Sequence, residues 1–308
     1  MRMFRGCAAL LLLLFSLWPH PAWAAQLTDD AGRALTYERP FVRVVSLYAA
    51  HGENLTAMGA GALLVGVSDP DSGPAGAPVV QARDGAEAIA ALKPDLVLAR
   101  PMHLSAHPGL IGQLESMGIA VVCLQPAAPK DLEPYWLALG GLTGHEAQAR
   151  AMAGRFADDL AALAEQVGRI PVGERRRVFF EAIHRQMKTV SPGSMAAFVL
   201  ERAGGLNLAA DAEPVAGSNI AHFGLERLIG MGAQVDVYLA QKGPMNPVSL
   251  EEIRATPGFE GLKAAREGQV FLVDEAITSR PTPRLLEGVR HIGGLLYPTL
   301  FAATKAGQ

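Results

Sequence analysis

The sequence predicts an α/β protein: two Rossmann-like lobes with parallel sheets, joined by a single long bridging α-helix, with a ligand cleft between the lobes. Three observations predict it. The stretch Thr143–Arg169 reads as one amphipathic helix, strands alternate with helices before it, and the same alternation resumes after it. The lobes are expected over residues 25–142 and 171–308, with 143–170 as the bridge. In the bridge, Met152, Phe156, Leu160, Leu163 and Val167 recur at spacings of four, four, three and four, which is one stripe of a helix. Thr143 and Glu146 have the spacing of a capping box, and Gly168 with Pro171 supplies the stop. At 1.5 Å per residue such a helix runs about 35–40 Å, too long for a crossover inside one small sheet.

Taken in order, Gln26–Pro40 is a polar, turn-rich entry arm. Val42–Leu47 reads as a buried strand, Gly52–Met58 as a helix, Leu63–Val67 as a second strand and Asp69–Pro78 as a Pro- and Gly-rich loop. Ala86–Leu92 is helical, Asp95–Ala99 a strand, Leu110–Met117 helical and Ile119–Leu124 a strand, after which Leu132–Leu142 leads into the bridge. Beyond it come the strand Arg177–Glu181, the helix Met195–Ala203 closed by Gly204-Gly205, the helix Leu225–Met231 and the strand Val235–Ala240. Leu250–Ala255 is a short helix, Val270–Val273 a strand and Pro283–Leu296 the last helix. Strands alternating with helices imply parallel sheets covered on both faces. An internal echo supports two lobes: Glu87-Ala-Ile-Ala-Ala-Leu followed by Asp-Leu-Val-Leu-Ala99 is matched by Glu226-Arg-Leu-Ile-Gly-Met followed by Asp-Val-Tyr-Leu-Ala240.

The 308 residues are 50% hydrophobic and 19% charged, enough for one or two substantial cores. Met1–Ala24 has a basic start, an apolar core and the small-residue exit Ala22-Trp23-Ala24, the pattern of a cleavable secretory signal. Its apolar core is short of the ~20 residues that span a bilayer. The mature protein is therefore expected to work outside the cytoplasm. The formal charge is −3, and without Arg2 and Arg5 there remain 25 basic against 30 acidic residues. That balance argues against nucleic acid or an anionic membrane surface as the main partner. Cys7 lies too early to be a lipidated residue at the cleavage point. Cys123 is then alone in the mature chain, in the apolar run Ile119–Leu124, as a buried strand thiol, so neither a disulfide nor a CxxC site is available.

In open parallel sheets ligands sit at the carboxyl ends of the strands. The loops there hold Tyr48 and His51, Met102 and His103, His184 and Met187, and Arg280, while His222 precedes a helix on the same expected side. Four of the eight histidines, drawn from both lobes, thus fall at cleft loops. His51, His103, His184 and His222 are the candidate metal ligands, because imidazole is the commonest ligand for transition metals, and thioether and phenol also reach iron. Taken singly, each reads first as a polar loop residue making a local hydrogen bond, and it is the constellation that suggests a ligand. No GxGxxG after a strand, phosphate loop, HExxH or GxSxG is present, and the carboxylate pairs Asp158-Asp159 and Glu251-Glu252 sit on helical segments as solvated faces.

The segments Thr28–Arg33, Arg43–Leu47, Leu63–Ser68, Leu92–Ala99 and Ala265–Asp274 together resemble the iron-complex and cobalamin substrate-binding proteins of ABC importers. The likeness covers essentially the mature chain. It implies a monomeric, non-enzymatic, two-lobed periplasmic protein with no cofactor of its own. The protein would capture a metal chelate of iron or cobalt, such as a ferric siderophore, haem or corrinoid, and deliver it to an ABC permease with its ATPase. It also implies one permease-docking glutamate on each lobe, which by motif are Glu87 and Glu226. Glu87 with Asp84 is alternatively a capping box, and both glutamates stand in first helical turns, where the dipole favours them. The first loop, Tyr48–Glu53, departs from the family pattern in carrying aromatic and imidazole groups. Arg280, in Ser279-Arg-Pro-Thr-Pro-Arg284, resembles a cleft motif that meets an anionic group. Two other readings stay open: a receptor for a bare or lightly chelated transition-metal ion, and an extracytoplasmic chelatase or hydrolase of similar fold.

Overall fold

The computed structural model describes residues 24–302, so the expected secretory signal, Ala24 apart, lies outside the described residues. The chain begins with a hairpin of β1 (Ala25–Thr28) and β2 (Ala34–Tyr37). Asp29 at its turn accepts from the backbone N–H of Cys123, and Arg33 donates to the Val121 carbonyl, so the arm is fastened to the edge of the first sheet.

That sheet contains β3 (Val44–Ser46), β4 (Leu64–Val67), β5 (Leu96–Ala99) and β6 (Ala120–Cys123), all parallel, in the order β4-β3-β5-β6. Val44, Val45 and Leu96–Leu98 are fully buried, as a sheet covered on both faces requires, and near-continuous Val and Leu runs supply the bulk. The strands are linked by α1 (Ala49–Ala57), α2 (Gly85–Ala90), α3 (Pro101–Ala106) and α4 (Leu110–Ser116). Cys123 is buried on β6, and burial pushes its thiol up to about 11.

Two helices then follow. α5 (Leu132–Thr143) ends at Gly144, whose φ of 72° is left-handed, with the His145 N–H reaching the Gly140 carbonyl at 2.7 Å. α6 (Glu146–Gly168) carries the chain from the first sheet to the second as one 23-residue helix, about 34 Å long. The expected capping box of Thr143 and Glu146 does not form. Thr143 belongs to α5 and donates its hydroxyl to the Leu139 carbonyl at 2.8 Å, because the left-handed glycine ends one helix before the next begins. Met152, Phe156, Leu163 and Val167 are buried along the expected stripe. Gly140 allows α5 to lie against α6, since a Cβ there would stand 2.7 Å from that of Ala149.

The second sheet is mixed, where a parallel one is expected. β7 (Arg177–Ile183) pairs antiparallel with β8 (Lys188–Val190) through the turn His184–Met187, in which Met187 has a φ of 41°. α7 (Met195–Arg202) follows, then the two-residue strands β9 (Leu206–Asn207) on β7 and β10 (Ile220–Ala221) on β8. Next come α8 (Leu225–Gly230), β11 (Val237–Lys242), α9 (Leu250–Arg254), α10 (Lys263–Arg266) and β12 (Val270–Asp274), with β7, β11 and β12 parallel. The chain closes with α11 (Glu275–Thr278), α12 (Leu285–Leu296) and α13 (Pro298–Ala302). The echoed segments do match: each glutamate opens a helix that feeds a parallel strand, α2 into β5 and α8 into β11.

One apolar cluster runs from Val44 and Trp136 through Phe156 of α6 to Val178 and Ile292, so both sheets share a core on their helix side. Separate clusters cover the outer faces, around Ile89 and Leu114 in one lobe and Tyr238 and Phe259 in the other. A strap crosses between the lobes beside the shared core. Arg280 pairs with Glu53 at 2.6 Å and Asp69 at 3.1 Å, and the Pro281 carbonyl accepts from Asn54 at 3.0 Å.

Candidate ligand cleft

The parallel strands of both sheets end on one cleft of about 1000 Å³. Its first wall is made of Tyr48 beyond β3, Arg100 and Met102 beyond β5, Gln125 beyond β6, and Tyr135 of α5. The facing wall holds Met195 at the start of α7, Asn219, Gln241 at the end of β11, Met245 and Glu275. The polar side chains are pre-placed. Arg100 lies 4.4 Å from the Tyr48 ring centroid, a cation–π contact, and its Nε donates to Gln125 Oε1 at 2.9 Å. Met102 and Met245 leave 51% and 69% of their surface exposed on opposite walls, an unusual state for thioethers unless something covers them.

Behind this surface His51 is a girder. Its Nε2 lies 3.1 Å from the Ala99 carbonyl, which can only accept, so that nitrogen carries the proton, and Nδ1 accepts from the Tyr135 hydroxyl at 2.6 Å. Complete burial lowers its pKa to about 3, so the ring is neutral. His103 accepts the Arg100 backbone N–H at 3.2 Å, and burial together with the Arg100 charge lowers it to about 4. Both imidazoles shape the wall from one layer back.

The other expected site residues scatter. His184 sits 2.7 Å from Glu181, a fully buried carboxylate that also takes the Tyr238 hydroxyl and the Asn246 amide. The hydrogen bond to Glu181 raises the imidazole pKa. Met187 is buried in the outer core of its lobe, and His222 is exposed outside the cleft lining. Arg280 is engaged by Glu53 and Asp69 in the strap and does not line the cleft. Of the eight residues expected to meet ligand, only Tyr48 and Met102 line the cleft. The four histidines do not converge: among the described residues no group of three or more His, Cys, Asp or Glu could hold a metal ion.

Arg100, Gln125, Gln241, Met245 and Glu275 escaped the sequence reading, although each lies at or just beyond a strand's carboxyl end. The rule that selected Tyr48 and Met102 finds them too; weighting imidazoles over amides and acids hid them. Glu275 is the least satisfied, since its Oε2 is buried without a hydrogen-bond partner among the described residues, and burial raises its pKa.

Residues 44–277 match the profile of a family described as periplasmic binding protein. The chain belongs to that family. Proteins of this family are transport substrate-binding proteins. The chain is 25% identical over 290 residues to the ABC transporter substrate-binding lipoprotein YvrC of Bacillus subtilis (strain 168), covering 89% of this chain and 86% of the relative. It is 24% identical over 282 residues to a cobalamin-binding protein of Halobacterium salinarum (strain ATCC 29341 / DSM 671 / R1), covering 88% and 73%. Its fold matches the periplasmic heme-binding protein RhuT of Roseiflexus sp. RS-1 with a TM-score of 0.68 at 21% identity, covering 84% of this chain and 98% of that one. As in the sequence echo, Glu87 and Glu226 stand exposed in the first turns of α2 and α8. The Asp84–Glu87 capping box is absent: Asp84 instead accepts the Gln81 backbone N–H, one short helix upstream.

Proposed function

We propose that lobes spanning 25–142 and 171–308 close on a metal chelate in the periplasm and hand it to an ABC permease with its ATPase, without altering it chemically. The observation that carries this reading is the cleft lining. A cavity of about 1000 Å³ takes an organic complex of macrocycle size, while the lining offers thioethers, phenols and amides and no gathered set of metal ligands. The metal would arrive inside its own organic ligand. Among the described residues the one hydroxyl of the lining paired with an oriented imidazole is Tyr135 on His51, a buried pair that braces the wall, and no lining serine or threonine meets such a base, which favours binding over catalysis.

The charge of the lining narrows the chelate. Among the described residues Arg100 is the one cation there, against Asp30, Asp131 and Glu275. Such a wall disfavours haem, with its carboxylates, and ferric catecholates, and favours a neutral or cationic complex. The amides of Gln125, Asn219 and Gln241 complement a periphery that is itself rich in amides, as a corrinoid's is. The relative named as a cobalamin-binding protein supports the same choice. The test is titration of the purified protein with cyanocobalamin, a ferric trihydroxamate, haemin and free ferric ion, followed by absorbance and calorimetry. Saturable one-to-one binding of cyanocobalamin, weaker binding of the hydroxamate and none of the free ion are expected. Tight binding of the bare ion would replace the chelate reading, and preference for haemin would overturn the charge argument.

A further inference from the structure

A second concavity, of about 960 Å³, opens at the other end of the C-terminal sheet's strands, where the central strand β7 begins. It is walled by the end of α6, the turn Val172–Glu174, Lys263 of α10 and the α12–α13 corner. Five cations line it, Arg169, Arg175, Arg176, Arg177 and Lys263, against two acids, Glu174 and Asp236.

Local pairing leaves most of that charge unspent. Arg177 and Lys263 both close on Asp236, at 3.0 and 2.8 Å, so one carboxylate serves two cations. Among the described residues Arg169 has only an exposed ion-pair contact, with Glu165 at 3.4 Å. Arg175 and Arg176 form no ion pair among the described residues, and Arg175 Nε is shut off from solvent with no acceptor there. The Arg175 Nε itself is out of a ligand's reach, but both arginines line the groove, and a guanidinium fork matches the oxygens of a phosphate.

We propose that this groove binds a phosphate group. The chain as a whole is acidic, so the attraction is local to the groove. The walls also expose apolar surface beside the charge: Val172 is 73% exposed and Leu206 38%. A phosphate can reach such a site free in solution or as the headgroup of an anionic lipid, and the chemistry at the arginines is the same.

Two arms separate the sources. Calorimetry with inorganic pyrophosphate reports the free anion. Cosedimentation with vesicles of phosphatidylglycerol in phosphatidylcholine, against phosphatidylcholine alone, reports the headgroup. The wild-type protein is expected to bind in at least one arm, and the double substitution Arg175→Gln/Arg176→Gln to weaken that binding at least tenfold. Arg150→Gln/Arg155→Gln, which removes the same charge from the exposed face of α6, is expected to leave it unchanged. Should the Gln pair fail to fold, Arg175→Lys/Arg176→Lys keeps the charge and loses the forks, and should still weaken binding several-fold. No binding in either arm, equal loss in the two Gln pairs, or unaltered binding by the Lys pair would overturn the site.

Discussion

The two lobes place a histidine just beyond the first strand of each large sheet, and the two imidazoles end in opposite states. His51 is sealed among neutral partners, the Tyr135 hydroxyl and the Ala99 carbonyl, and burial holds it uncharged. His184 lies against the buried Glu181 carboxylate, which favours its charged form. The decisive difference is one residue: a glutamate three positions upstream of His184 on β7, where three positions upstream of His51 stands Tyr48, a phenol that burial keeps uncharged. A strand-end histidine therefore reports its own neighbours before it reports a ligand. Around His51 the N-terminal wall is held by neutral hydrogen bonds, and two acids of that lobe, Glu53 and Asp69, are committed to the strap to the other lobe.

The strap is the strongest point at which to break this contrast. Replacing Arg280 by Ala leaves Glu53, 9% exposed, with only the longer 3.6 Å contact to Arg284. Removing one partner of a buried pair costs about 3 kcal/mol, which for a chain of this size lowers the melting temperature by about 6–12 °C. Small-angle scattering should change along with it. A continuous α6 resists hinge bending, so the wild type is expected to compact only slightly on ligand binding, and the variant more. An unchanged melting point would show that the strap is solvated and that the lobes are held by the shared core alone.

Titration sharpens the comparison next. His51 has a folded pKa near 3 against 6.5 unfolded, so the unfolded chain binds the proton first and stability falls as pH drops below 6.5. Linkage puts the loss at about 2 kcal/mol between pH 7 and pH 5. His103, lowered to about 4, adds in the same direction. His184 runs the other way: its raised pKa gives stability that is full below 6.5 and is lost as pH rises through the folded value. Urea unfolding of His51→Gln and His184→Gln at pH 5, 6.5 and 8 reads both. The first should flatten the acid limb, the second the limb above pH 6.5, and identical profiles for the two would refute the assignment.

How much of this was legible follows the range of the forces. The stripe of α6 and the apolar runs of β3 and β5 are encoded within a few residues, and their elements formed where expected. The Thr143–Glu146 capping box failed because Gly144, standing between them, terminates α5 in a left-handed turn, a local signal outweighed by the helical pattern on either side. β8 was missed because three residues, Lys188–Val190, carry little periodicity and depend on β7 for partners. The cleft's position followed from the strand-end rule, while its chemistry depended on contacts across more than eighty residues, such as His51 with Tyr135, which no spacing announces.

Glu87 and Glu226 supply the smallest expected effect on the fold and the closest comparison between lobes. Both are exposed in the first turn of a short helix feeding a parallel strand, so any difference between them measures the partner and not the scaffold. Their docking role is a proposal drawn from the family resemblance. Neither lines the cleft, and Gln for Glu removes only a favourable helix-dipole contact, so stability should change by at most about 1 kcal/mol and ligand affinity should hold. Rim charges act mainly on encounter rate, so each single substitution should lower transport in reconstituted vesicles at low salt, the double more so, and the defect should shrink as salt rises. Equal single defects would mean that the permease grips both lobes alike, whereas a defect confined to one would make docking one-sided despite the repeated scaffold. Transport unchanged at low salt in the double variant would remove the role from both, and lost ligand binding would relocate them to the cleft.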